Sequence, residues 1–173
     1  EGTELVRDIR PGVRGSGPST LVTVGDRVFF WADDGVAGPE LWVSDGTNAG
    51  SRRVADLDPG PDGTVSQIAI ALGDRLLFGH GDDLWRSDGT EEGTVVVSDS
   101  RAFQQNWSAN APFQVLENET IGSLLLFAGA TDEGRGLWAS DGDSAWLLMA
   151  TPYDPTSFTV SDGLLYFAVR PYL

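Results

Sequence analysis

The sequence predicts an all-β fold, a β-propeller of about four antiparallel blades, and three observations predict it. The string ELWVSDGT at residues 40–47 returns as DLWRSDGT at 83–90 and, altered at both ends, as GLWASDGD at 136–143. The apolar segments between these strings are short, β-branched or aromatic, and punctuated by glycine, with no i, i+3, i+4 helical stripe. Landmark residues also recur at blade spacing: Phe30, Phe78 and Phe127 lie 48 and 49 residues apart, and Phe167 follows after 40. A period of about 40–50 residues carrying four strands is that of a propeller blade. Solenoid coils repeat at shorter intervals, and an immunoglobulin-like sandwich does not repeat its own sequence.

In chain order, residues 3–9 (TELVRDI) are expected to form a strand and 11–18 a Gly/Pro loop. Residues 19–24 and 27–32 follow as two strands joined by the short turn Gly25-Asp26. The Leu-Trp strand ends in Asp45-Gly46, expected to supply left-handed backbone for a tight turn, and residues 51–57 form the fourth strand. The order repeats through 65–72, 75–80, the second Leu-Trp strand and 94–100. A third unit runs through 112–117, 123–130, the third Leu-Trp strand and 145–150, and a fourth begins with 157–161 and 164–169. The predicted blades are 19–58, 64–100, 112–150, and 156–170 with 3–9, in a single domain 1–173. The last is composite because Glu1-Gly2-Thr3 matches Glu92-Gly93-Thr94, the start of a fourth strand. Three readings follow: a four-bladed ring with a three-stranded seam, a piece of a larger propeller, or a protomer completing its ring with another copy.

The composition narrows the partners. A net charge of -15, from 26 acids against 11 arginines and no lysine, repels phosphates, so nucleic acid and anionic lipid are disfavoured. No apolar run is long enough to insert in a membrane. Cysteine is absent, which excludes disulfides and thiolate metal sites.

Glu-Leu-Trp, two residues, then Asp-Gly-Thr, followed by Gly-Thr and a Leu-Val-x-Asp-Ile segment, resembles the bacterial ELWxxDGT repeat family. The resemblance covers nearly the whole chain and is specific in 40–58 and 83–99. In the third unit Gly136 replaces Glu40 and Asp143 replaces Thr47, so that blade is expected to be distorted. The resemblance implies a propeller-like fold and a secreted or surface-attached bacterial protein; it implies no catalytic activity.

Comparing the copies separates scaffold from site. Asp45-Gly46, Asp88-Gly89 and Asp141-Gly142 occur in every copy, which fits a turn that holds each blade. Trp42, Trp85 and Trp138 are expected to be buried blade contacts, the other reading being an aromatic ledge for a ligand. Asp56, Asp58 and Asp62 fail an EF-hand count, because Gly60 and Ala69 fall at its third and twelfth positions. The loop one repeat earlier has Arg10 and Arg14 in place of Asp58 and Asp62, so calcium is no general requirement. One blade-specific calcium is the remaining metal reading, and no other cofactor is expected.

His80, the single histidine, reads as a hydrogen-bonded filler before a proton shuttle. No nucleophile elbow or phosphate loop appears. The loops between blades (10–18, 58–63, 101–111) and between second and third strands differ among copies, which makes their face the expected binding face. The longest, RAFQQNWSANA, displays Phe103, Gln105, Asn106 and Trp107, an aromatic-amide set suited to a sugar or peptide; the plainer reading has Trp107 covering a blade edge. The expectation is a non-enzymatic extracellular binding or assembly module for a protein or glycan partner. The alternatives are a propeller glycoside hydrolase using unassigned carboxylates, or a structural fragment of a larger propeller.

Overall fold

The computed structural model describes residues 2–63, 65, 66, 68–81, 83–98, 113–118, 122–131, 134–153 and 155–169. Among the described residues there are fourteen strands and no helix. The first sheet runs β1 (Ser19–Val24), β2 (Arg27–Asp33), β3 (Pro39–Ser44), β4 (Arg52–Arg53), each beside the next. The second runs β5 (Ala69–Leu72), β6 (Arg75–His80), β7 (Asp83–Ser87), β8 (Val95–Ser98). The third runs β9 (Phe113–Asn118), β10 (Gly122–Thr131), β11 (Gly134–Ser140), β12 (Ala145–Ala150). The fourth holds β13 (Pro155–Ser161) and β14 (Leu164–Val169). The pairings are antiparallel.

Two-residue turns close the first hairpins. Val24 pairs with Arg27 across Gly25-Asp26, and Leu72 with Arg75 across Gly73-Asp74. Gly25 (φ 62°) and Gly73 (φ 60°) alone turn left-handed there, whereas both Asp162 and Gly163 do so in the last hairpin. Thr20 in β1 (φ 49°) and Ser157 in β13 (φ 60°) are also left-handed, each at a register break of its strand. Each lies ten residues before its landmark phenylalanine, Phe30 or Phe167, so one bulge is repeated in two sheets at a cost of about 1 kcal/mol each.

The chain divides into two compact units, Glu1–His80 with Ser87–Val95, and Gly81–Arg86 with Val96–Leu173. In the first unit β1 lies against β5, and Trp31 meets Phe78 edge to face with ring centroids 5.6 Å apart. Partners directly opposite in a ladder share a face, so Phe29, Trp31, Leu41, Val43 and Arg52 lie on one side of the first sheet. That side turns toward the second sheet. The other side buries Phe30, Ala32 and Trp42, with Ile9 and Val28 packed on them.

The second unit repeats this packing. β9 lies against β13, and Leu126, Leu137 and Ala139 meet Phe158, Leu165 and Phe167 of the fourth sheet. Leu126, Leu137 and Ala139 are the repeat counterparts of Phe29, Leu41 and Val43, and Phe167 is that of Phe78. The same face of one sheet thus packs on the same opposite face of the next in both units.

Several sequence expectations need correction. Residues 3–9 form no strand: residues 2–8 are exposed, Leu5 by 80%, and no backbone ladder engages them among the described residues. Apolar alternation predicts a strand only where an edge is available to pair with. The predicted strand 51–57 shrinks to Arg52–Arg53, and 65–72 to Ala69–Leu72. Asp45 is not left-handed; only Gly46 (φ 86°) is, because the chain spends seven residues between β3 and β4 instead of turning in two.

Candidate functional site

The repeated string places different chemistry at the two ends of β3. At its C-terminal end, Asp45 Oδ1 accepts from Thr47 N (2.9 Å) and Thr47 Oγ1 (2.7 Å), and Thr47 Oγ1 accepts from Gly50 N (2.9 Å). Ser44 Oγ accepts from Gly46 N (3.1 Å) and donates to Ser51 Oγ (2.6 Å), whose own hydrogen goes to Thr47 O (2.7 Å). The second copy reproduces the set: Asp88 with Thr90, Thr90 with Gly93, and Ser87 with Gly89 and Thr94. These donations to the charged form hold Asp45 and Asp88 below the usual carboxylate range, the threonine hydroxyl contributing most. A Cβ on Gly50 or Gly93 would overlap the same carboxylate, which is why glycine stands there.

The turns are also gripped by the preceding repeat. Arg27 donates to Asp88 O (2.6 Å) and Arg52 to Gly89 O (2.8 Å), with Phe29 beneath Gly89. Arg86, in turn, donates to Gly142 O (3.3 Å) and pairs with Asp143. In every described Ser-Asp-Gly turn the serine hydroxyl and the aspartate Oδ1 thus accept from the turn's own backbone. Trp42 and Trp138 are buried at 4% and 2% exposure, and Trp85 is half-buried. The indole nitrogens of Trp42 and Trp138 have no hydrogen-bond partner among the described residues. Arg7 lies over the Trp42 ring, 5.7 Å from its centroid. What these rings supply is apolar bulk.

At the N-terminal end of β3 the loops that differ between repeats converge. Arg10 pairs with Asp33 and covers Gly35, and Asp33 N donates to Ser16 O (2.9 Å), which ties the 10–18 loop to the β2–β3 loop. Gly38 and Gly63, both left-handed, lie so close to residues 61–63 and to Pro39 that a Cβ on either would collide with backbone. The 58–63 loop is thereby fixed to the same end. Asp34 Oδ1 accepts from Val36 N (2.8 Å) and Ala37 N (3.0 Å), and the Ala37 bond is the main cause holding its carboxyl low.

Glu40 closes this end. It is 1% exposed, and its carboxylate accepts from Leu57 N (2.9 Å) and Asp58 N (3.4 Å). Burial raises its pKa against the lowering effect of those two bonds. The carboxylate replaces a ladder: β4 ends after two residues and Val54 N still reaches Leu41 O (2.8 Å), but beyond that Glu40 supplies the acceptors.

Pinned loops of this kind display what they do not use. Val13 and Val36 are exposed by 106% and 81%. Both were invisible as candidates in the sequence, where single valines in Gly/Pro loops look incidental; their only signal was an apolar residue in a polar loop. The 10–18 and 58–63 loops are brought together as expected. Phe103, Gln105, Asn106 and Trp107 lie outside the described residues, as does Asp82 beside His80. Among the described residues no three His, Asp or Glu side chains converge to hold a metal, and no helix is long and apolar enough to cross a membrane.

No family model matches this chain, and no curated protein matches it. Among solved structures it is similar to a chain described as "Crystal structure of the computationally designed Ika4 protein", at 16% identity over 98% of this chain and 94% of that one, with a TM-score of 0.49. At that score the likeness carries no argument.

Proposed function

We propose that this chain is a non-enzymatic extracellular module of propeller blades that binds a protein or glycan through the loops at the N-terminal end of its Leu-Trp strands. The observation that carries the reading is the contrast between the two ends of β3. The Ser-Asp-Gly end spends its polar atoms on the repeat itself, whereas the loop end is held rigid and turns Val13 and Val36 outward. Rigid loops with free side chains bind without a large ordering cost.

The propeller itself is part of the proposal. Its support is the repeated face-to-face packing, with first strands against first strands, as sheets set radially about an axis approach most closely at their inner strands. The extracellular bacterial setting and membership of the ELWxxDGT repeats rest on the sequence resemblance.

The test is binding of the purified chain to immobilised glycans and extracellular proteins, compared with Val13→Asp/Val36→Asp, Trp107→Ala and a deletion within 101–111. The reading expects binding that one of these loop variants abolishes, and no turnover of chromogenic glycosides. Binding that survives all three, or steady glycoside turnover, sinks it.

A further inference from the structure

An arginine of the preceding repeat holds the second and third Ser-Asp-Gly turns, but from a different strand each time. In the first sheet Val43 and Arg52 are ladder partners, and Arg52 donates to Gly89 O (2.8 Å). In the second repeat the counterparts of that pair are Arg86 and Val95, and Arg86 donates to Gly142 O (3.3 Å). Gly89 and Gly142 are counterparts too, so one carbonyl of the turn is reached from either strand. The third sheet places Ala139 opposite Trp146 at this pair and carries no arginine there.

The receiving turns differ in step with the arginines. Arg27 and Arg52 meet the carbonyls of Asp88 and Gly89, and the Thr90 hydroxyl beside them is engaged by Asp88 and Gly93. In the third turn Asp143 replaces that threonine, and Arg86 pairs with its carboxylate as well as with the Gly142 carbonyl. The turn itself does not call for this acid. Asp143 N donates to Asp141 Oδ1 as Thr47 N and Thr90 N donate to Asp45 and Asp88. An arginine's planar fork takes a carbonyl and a carboxylate together, which suits it to reading both at once. Arg86 where the first repeat has Val43, and Asp143 where it has Thr47, are therefore two halves of one contact.

We propose that Arg86 and Asp143 are a neighbour-recognition pair, by which the second repeat selects the third as the one that packs beside it. Arg52 with the Gly89 carbonyl is the neutral form of the same contact, open to any Ser-Asp-Gly turn because every such turn offers that carbonyl. The Asp143 side chain is 62% exposed, so the ion pair adds little to overall stability. Its value lies in discrimination: a valine at 86 deprives Asp143 of that cation, and an acid there repels it. Repeats so alike need such a device, because turns that all look the same do not specify an order. The pair uses none of the 10–18, 34–38 or 58–63 loop residues and stands apart from the loop-binding reading.

Amide exchange of residues 141–146 in the intact chain, followed by mass spectrometry, reads the contact. Arg86→Val, the first repeat's residue, should speed that exchange about tenfold, and Asp143→Thr by no more than about threefold. In the Asp143→Thr chain, Arg86→Val should then cost at most about threefold, since only the carbonyl bond is left to lose. The 88–94 turn, held by Arg27 and Arg52, should keep its exchange rate in all of these chains. Equal acceleration by Arg86→Val in both backgrounds, none in either, or the same acceleration at 88–94 would overturn the proposal. Should Arg86→Val unfold, charge reversal decides: Arg86→Asp speeds exchange at least about tenfold, and Arg86→Asp/Asp143→Arg returns it to within about threefold. A reversed pair that exchanges as fast as Arg86→Asp alone overturns the proposal as well.

Discussion

The first and third repeats solve the same turn differently. In the first, seven residues separate β3 from β4, and Thr47, Gly50 and Ser51 build a closed set of bonds around Asp45 and Ser44. In the third, four residues separate β11 from β12, Asp143 stands at the threonine position, and Asp141 Oδ1 accepts from Asp143 N and Ser144 N, both at 2.9 Å. The shorter turn lets β12 pair along β11 as far as Gly136 opposite Ala150, with Thr151 N still reaching Arg135 O. In the first repeat that stretch of ladder is missing and the Glu40 carboxylate stands in for it. A repeat can close its outer edge by backbone or by a buried acid. The choice fixes the residue at that position: glutamate where the ladder stops, glycine where it continues.

The largest effect that would break this comparison is at Gly136. A Cβ there would overlap the Met149 carbonyl, so Gly136→Ala should cost at least about 3 kcal/mol in denaturant unfolding. A cost below about 1 kcal/mol would mean that β12 does not need the glycine. Next, Glu40→Ala leaves Leu57 N and Asp58 N without their acceptors and should cost about 2–3 kcal/mol, with Glu40→Gln cheaper because one acceptor oxygen survives.

Glu40 also sharpens the comparison through pH. Its folded pKa lies above the unfolded value, so its contribution is full below about pH 4.3 and is lost as pH rises through the folded value. Asp34, Asp45 and Asp88 have the opposite sign: their contribution is present above about pH 3.9 and lost as pH falls through their lowered values. Melting of the wild type and Glu40→Gln between pH 3 and 7 should therefore differ by a slope that declines toward neutral pH in the wild type alone. Parallel curves would refute the raised value.

Smaller effects come from the turns. Thr94→Val removes the buried hydroxyl pair with Ser87 (2.8 Å) and should cost about 1 kcal/mol, whereas the third repeat has no described counterpart to lose. Least of all, Asp143→Asn breaks its exposed pair with Arg86 and should change unfolding by no more than about 0.5 kcal/mol.

Much of this was legible in the residues, for a physical reason in each case. Glycine-aspartate and aspartate-glycine pairs select hairpin turns through φ, so β1–β2, β5–β6 and β13–β14 were readable. The Ser-Asp-Gly turn was recognisable as scaffold because its bonds are local to its own few residues. Of the loops that differ between copies, 10–18, the β2–β3 loop and 58–63 meet at one end of β3, while 101–111 lies outside the described residues; Val13 and Val36 were not legible, since exposure is a property of the folded surface. Trp146 was likewise silent until its ladder partner Ala139, the counterpart of Val43, placed it at the position that Arg52 holds in the first sheet.

By itself the sequence determined the all-β character, the order and spacing of the strands, and which residues hold each repeat, because turn chemistry and alternation act over a few neighbours. Only the tertiary structure decided that residues 3–9 form no strand, that β4 stops at Arg53, and that the fourth sheet has two strands among the described residues. Those outcomes depend on which edges meet in space. A strand exists only when a second backbone, distant in sequence, comes within bonding distance of it.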